Sequence, residues 1–237
     1  MTPTLINDLI DDECEVLLAL TGPLAGQRLI ELGCGAARLA RELLARFPDA
    51  DITGLEVDTR QHAKNLADPQ PGLHFVQAGA QAIPFEAGQF DGALMLKSLH
   101  HVPLAEMAQA LDEVARVLRP GGWLYISEPV YDGPLNDIVR LYNDEGTVRA
   151  AAQAAVDAAL RTGRWSQAAE RRFEMPVHYP DFATFEQRMM RPTFADHHID
   201  AAKLAEVQAA FTPHLRADGS GAHFTRPLHV RWLRRAD

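Results

Sequence analysis

The stretch from Gln27 to Phe47, QRLIELGCGAARLARELLARF, constrains this chain more than any other. A short apolar run (Leu29, Ile30, Leu32) leads into Gly33-Cys34-Gly35-Ala36-Ala37, after which Leu39, Leu43, Leu44 and Phe47 recur at helical spacing. That order predicts a strand, a tight turn and a helix. Glycines at 33 and 35 let the backbone turn sharply and lie against a ligand with no side chain intervening. The first helical turn offers unpaired amides at the same place. The geometry suits a nucleotide-like ligand. Two glycines alone close many ordinary turns, and Ala37 stands where the dinucleotide fingerprint has its third glycine, so a second signal is needed.

Glu56 supplies it. Asp51 to Asp58 reads as a second strand ending in acidic residues, and Glu56 follows Gly33 by 23 positions. That is close to the ~20-residue offset at which a dinucleotide fold places a carboxylate on the ribose hydroxyls. Asp58 is better placed to cap the next helix, Thr59 to Leu66. Further strands are expected at His74 to Ala78, Phe90 to Leu96 and Trp123 to Glu128. Leu104, Met107, Leu111, Val114 and Leu118 mark an amphipathic helix that stops at Arg119-Pro120-Gly121-Gly122. Strands alternating with helices predict an α/β fold, a doubly wound, mostly parallel sheet with ligands at the carboxyl ends of its strands.

Outside this rhythm, Leu5, Leu9, Val16, Leu17 and Leu20 predict a helix over residues 5–20. After Pro129 two helical stripes follow, Leu135 to Tyr142 and Val148 to Leu160, read as an insertion covering the strand ends. Phe173 to Val177 is a candidate sixth strand, Phe182 to Met189 and Leu204 to Phe211 are short helices, and Phe224 to Trp232 is the last strand. Pro227 argues for an edge position or a bulge there. The expected organisation is an N-terminal helical segment over residues 1–26, a cofactor-binding core over 27–133, a helical cap over 134–222 and a returning strand over 223–237.

At 237 residues, 47% hydrophobic and 23% charged, the chain suits one sizeable core. No apolar run approaches the roughly 20 residues of a membrane span. With two cysteines, Cys14 and Cys34, and no secretory pattern at its start, a cytoplasmic protein is expected. A net charge of -9 argues against nucleic acid as partner. The ten histidines, His197 and His198 included, match no metal-ligand spacing. Arg161, Arg164, Arg171, Arg172, Arg188 and Arg191 enrich the variable half in positive charge and raise the reading of an anionic acceptor.

Four blocks stand in order between Leu29 and Pro129: LIELGCGAARLARELL, ITGLEVD, AIPFEAGQFDGALMLKSLHHV and LDEVARVLRPGGWLYISEP. Together they resemble the class I S-adenosylmethionine-dependent methyltransferases of the small-molecule, type 11-like group. The resemblance implies a seven-stranded Rossmann-like sheet with a helical cap, S-adenosylmethionine as cofactor and a small organic acceptor. It implies that Glu31, Gly33 and Gly35 surround the methionine part, that Glu56 holds the ribose and that Val57 packs on the adenine. The family's acidic adenine contact is Gly79 here, which leaves Ala80 and Gln81 as candidates. Lys97 sits where members line the methyl-transfer cavity. An activated methyl needs an aligned nucleophile and a base for its proton, and histidine suits that task at neutral pH. His100 and His101 are the candidate bases, and Tyr131 a candidate lining of the acceptor pocket.

Two other readings share these signals. An NAD(P)-dependent oxidoreductase also uses a glycine turn and a ribose carboxylate, but the chain holds no Tyr-x-x-x-Lys pair. A non-catalytic cofactor-binding protein of the same fold is the other, with Gly79 as its hint. The acceptor, the attacked atom and the oligomeric state are not encoded in any motif of the chain.

Overall fold

The computed structural model describes residues 8–191 and 197–236. Eight strands form one sheet: β1 (Asp8–Leu9), β2 (Arg28–Leu32), β3 (Asp51–Leu55), β4 (Leu73–Val76), β5 (Phe90–Leu96), β6 (Leu118–Pro129), β7 (Trp165–Tyr179) and β8 (Ala222–Arg235). Their order is β1-β7-β8-β6-β5-β2-β3-β4. The expected doubly wound α/β sheet is present, with one strand more than seven. β1 is the addition, pairing parallel to β7 through Asp8 with Phe173 and Leu9 with Glu174. Residues 8 and 9 are therefore extended rather than helical, and the predicted helix begins only at α1 (Glu13–Thr21), where Asp12 caps by accepting the Cys14 amide at 2.8 Å. Leu5, placed in that helix by its spacing, lies outside the described residues.

By contacts the described chain forms two compact units. The first holds Asp12–Glu128, Val148–Arg171 and the chain from His229 onward. Here β2 pairs in parallel with β3 and β5, β3 with β4, and β5 with β6. These strands are nearly continuous runs of apolar residues, as a sheet covered on both faces requires. Around them lie α2 (Arg38–Arg46), α3 (Thr59–Ala67) and α4 (Met107–Val117). Helix α4 buries Met107, Ala110, Leu111 and Val114 in a core shared with Ile30, Leu32, Leu124 and Ile126. Burial of each large side chain contributes roughly 1.5–3 kcal/mol. Helix α6 (Gly146–Arg161), expected as part of a cap, instead buries Ala152 and Val156 in this same core.

The second unit holds Pro129–Thr147, Arg172–Leu228 and the residues up to Asp11. Its own core joins Leu135, Ile138 and Val139 of α5 (Pro134–Val139) to Phe185, Val207, Phe211 and Phe224. Phe185 lies in the short α7 (Phe182–Phe185), followed by a π turn over Glu186–Met190, and Val207 and Phe211 lie in α8 (Ala201–Phe211). Tyr179 meets Phe185 edge-on at 5.1 Å, so aromatic packing closes this core.

Two sequence expectations for the strands are corrected. The candidate sixth strand is 15 residues long rather than five, because it begins at Trp165 in polar sequence that carries no alternation. The strand containing Pro227 is interior, between β7 and β6, not at an edge. Proline lacks only the donor there, and its carbonyl still accepts the Val130 amide at 2.9 Å. Among the described residues no helix is long and apolar enough to cross a membrane.

Gly92 in β5 shows how tightly the sheet is covered. A Cβ at this position would lie 2.1 Å from the Trp123 indole, whose Nε1 donates to Gln27 Oε1 at 3.1 Å. Gly92→Ala should therefore lower stability by about 2–3 kcal/mol or more in chemical denaturation, as over-packing does. An unchanged midpoint would contradict the packing described.

Candidate functional site

All four of the loop and ribose-type residues lie in the first unit, and hydrogen bonds tie them together. The Leu55 carbonyl accepts the amides of Gly33 and Cys34, each at 2.9 Å, which fastens the end of β2 to the end of β3. Glu56, the next residue, is 7% exposed. Its Oε2 accepts the Gly35 amide at 2.8 Å and its Oε1 accepts the Asp58 amide at 2.8 Å. The carboxylate thus clasps the glycine loop while each oxygen keeps a lone pair for another donor. Asn65 of α3 completes the clasp by donating to the Gly35 carbonyl at 2.7 Å. As the sequence indicated, Asp58 caps α3, accepting the Arg60 amide at 3.0 Å.

Glycine is required at 33 for two reasons. Its φ is +70°, and a Cβ would sit 2.8 Å from Ser98 Cβ. Gly35 has φ +52° with nothing within 4 Å of its virtual Cβ, so that face of the loop is open. Ala37 takes a left-handed φ of +52° and gives α2 no side-chain cap. The Ala40 amide in the first turn of α2 favours the charged form of the Glu31 carboxylate, against its burial. Glu31 Oε2 is buried without a partner among the described residues. An unmet buried carboxylate oxygen costs about 1–3 kcal/mol or more.

Further buried polar atoms collect near it. Glu13 Oε1, Ser98 Oγ, Tyr125 OH and Ser127 Oγ are likewise buried with no partner among the described residues. Lys97, at φ +56° and with its amide on the Ser127 carbonyl at 2.6 Å, sends Nζ to Glu13 Oε2. Sequence reading named Lys97 and missed Glu13, since an acid in the first turn of a helix looks like a solvated, dipole-favoured charge.

On the adenine side, Val57 is 65% exposed beside the buried Glu56, an apolar surface without cover of its own. Ala80 is buried at 8% exposure. The Gln81 amide folds back over residue 79, where a Cβ would meet its Oε1 at 2.4 Å. A glycine at 79 is what allows this, so the absent acidic residue and the position of Gln81 are one feature.

His100 is 5% exposed, and its Nδ1 is hydrogen bonded to Glu128 Oε2, itself on a side chain buried at 1%. Glu128 Oε1 accepts the Leu99 amide at 2.9 Å, so the carboxylate is held at both oxygens. His101 is exposed, with its ring centroid 4.1 Å from that of His100. Glu128 is the second residue that sequence reading missed; its place at the end of β6, in step with His100 after β5, was the available signal. Tyr131 belongs to the other unit, is 37% exposed and donates its hydroxyl to Asp144 at 2.8 Å. The arginines do not form one cluster: Arg164 pairs with Asp112 at 2.8 Å and Arg191 with Glu186 at 3.0 Å.

Burial pushes the Glu31 carboxyl up to about 8, with Lys97 opposing in part. A carboxyl raised in the folded state keeps its proton up to that pH while the unfolded chain ionises above its own lower value, so stability falls across the interval between the two. Stability of the ligand-free protein should accordingly decline from about pH 5 through pH 8 relative to Glu31→Gln, which lacks the titrating group. Denaturation midpoints of the two proteins at pH 5, 7 and 9 check this; a constant difference between them would contradict the burial described.

Comparison with known proteins gives this geometry its context. Residues 30–126 match the family model described as a methyltransferase domain. An O-methyltransferase of Penicillium expansum, cnsE, is 32% identical over 143 residues, 57% of this chain and 49% of that protein. A fatty-acid O-methyltransferase of Mycolicibacterium smegmatis is 40% identical over 118 residues, 46% of this chain and 40% of that protein. The chain thus spans less than half the length of these relatives. Among solved structures, the YcgJ protein of Bacillus subtilis superposes with a TM-score of 0.66 at 16% identity, covering 94% of this chain and 98% of that one. The [4+2]-cyclase SpnF gives 0.62 at 18% identity, covering 97% and 86%. Likenesses at such low identity establish the fold alone. Over residues 30–126 this chain is similar to a methyltransferase domain, and its α/β sheet shares the Rossmann-like fold of those neighbours.

Proposed function

We propose that this chain is a methyltransferase that binds S-adenosylmethionine at the Gly33–Gly35 loop and delivers the methyl group to an oxygen of a small organic acceptor. The observation that carries the proposal is the unpartnered, buried Oε2 of Glu31 immediately before a glycine loop clasped by Glu56. A cofactor with an ammonium at one end and a ribose diol at the other needs those two acceptors. When bound, that cofactor supplies a methyl group already activated on sulfur.

The chain's own residues divide the remaining work. Glu31 accepts from the ammonium, Glu56 from the ribose hydroxyls through its spare lone pairs, Gly33 and Gly35 let the backbone lie close, and Val57, Ala80 and Gln81 border the adenine. His100 removes the acceptor's proton. Its Nδ1 is held by Glu128, which makes Nε2 the basic nitrogen and steadies the imidazolium that forms. His101, exposed and next in line, is the competing base. An oxygen acceptor is supported by relatives named O-methyltransferases, one of them acting on fatty acids. The two buried free thiols, Cys14 and Cys34, agree with a cytoplasmic site of action.

Calorimetric titration with S-adenosylmethionine and with S-adenosylhomocysteine should show one site per chain. Glu56→Ala should weaken it tenfold or more with the circular dichroism spectrum retained, and absence of binding to folded wild-type protein would overturn the proposal. With methyl transfer assayed over a panel of fatty acids and phenols, His100→Ala and Glu128→Gln should lower kcat by about 100-fold, and His101→Ala by much less. Equal losses at His100 and His101 would contradict the assignment of His100 as base.

A further inference from the structure

The polar atoms around Glu13 are in excess of what the fold uses. Glu13 is the first residue of α1 and is 7% exposed. One carboxylate oxygen meets Lys97 Nζ, while the other is buried with no partner among the described residues. Helix α1 is fastened where it must be to hold that group inward: Arg46 of α2 pairs with Asp12 at 2.8 Å and also with Glu15. Lys97 sits at a positive φ that is unusual for a side chain with a Cβ, the kind of strain that persists where function requires it. Glu31, Glu13 and Lys97 also act on one another: Lys97 is the largest attraction on the Glu31 carboxylate and Glu13 a repulsion. Tyr125 OH lies within the influence of Glu13 as well, again buried and unpartnered.

We propose that Glu13 and Lys97 form a charge-matched subsite for the amino-acid end of the cofactor, and that their ion pair is the closed state of that subsite. This rests on the reading that the site takes S-adenosylmethionine. The ligand's end carries one ammonium and one carboxylate. Two carboxylates, Glu31 and Glu13, meet the ammonium, and Lys97 turns from Glu13 to the ligand carboxylate. Each charge lost from the internal pair is replaced by one from the ligand, so no ion is left buried and alone, which is the arrangement that costs most. Glu13 is thereby a positioning and specificity residue: it selects ligands that keep the zwitterionic tail over those that present the nucleoside alone.

The test compares S-adenosylhomocysteine with 5′-methylthioadenosine, which keeps the nucleoside and thioether but lacks the amino-acid end. Calorimetry on wild type, Glu13→Gln and Lys97→Met should show S-adenosylhomocysteine weakened tenfold or more in each variant, with methylthioadenosine within twofold of wild type. Unchanged affinity for S-adenosylhomocysteine would overturn the proposal. So would equal weakening of both ligands, which marks α1 as a structural strut. Wild-type protein that binds neither ligand would instead overturn the cofactor reading itself. Lys97→Met gives the same reading from the other partner if Glu13→Gln does not fold.

Discussion

The Glu56 carboxylate is the interaction on which the functional end of this protein depends. Two backbone amides, those of Gly35 and Asp58, converge on its oxygens, so one side chain joins the turn after β2 to the turn after β3. A carboxylate buried to this degree is stable only when its oxygens are hydrogen bonded. Clasping the loop satisfies that need and at the same time presents the remaining lone pairs outward. The same group therefore shapes the loop and keeps acceptor capacity to spare. Glu31 is the second buried carboxyl at this end, and its Oε2 has no partner among the described residues.

Much of this end was legible because it is local. Gly33, Gly35 and Glu56 act within one βαβ unit, where spacing along the chain determines position in space. Helix α4 was legible because its apolar residues repeat with helical period against a sheet. What the sequence hid is set by pairings between distant segments. Glu13 and Lys97 are 84 positions apart, and His100 and Glu128 are 28 apart. No periodicity signals such pairs. β7 was cut short in the reading because Ser166 to Arg172 are mostly exposed and polar, while the pairing that makes them a strand is tertiary. β1, at two residues, is below the length any pattern reveals. Of the two readings that Pro227 offered, an edge or a bulge, the edge is excluded by a pairing that is likewise tertiary.

Gly79 shows how a departure from a family pattern acquires a cause. Read alone, it looks like a missing contact. The Gln81 amide lies over it, in the space that a Cβ at 79 would enter. The His100–Glu128 pair, also outside the glycine-loop unit, adds a buried imidazole held by a carboxylate whose other oxygen accepts the Leu99 amide.

The central claim is that a buried Glu31, protonated in the free protein, ionises to receive an ammonium. Calorimetric binding of S-adenosylhomocysteine at pH 7 in two buffers of different ionisation enthalpy measures this directly. With the carboxyl at about 8 in the free protein, binding should release close to one proton per site, and the release should vanish in Glu31→Gln. Binding of wild-type protein with no proton released would contradict the account.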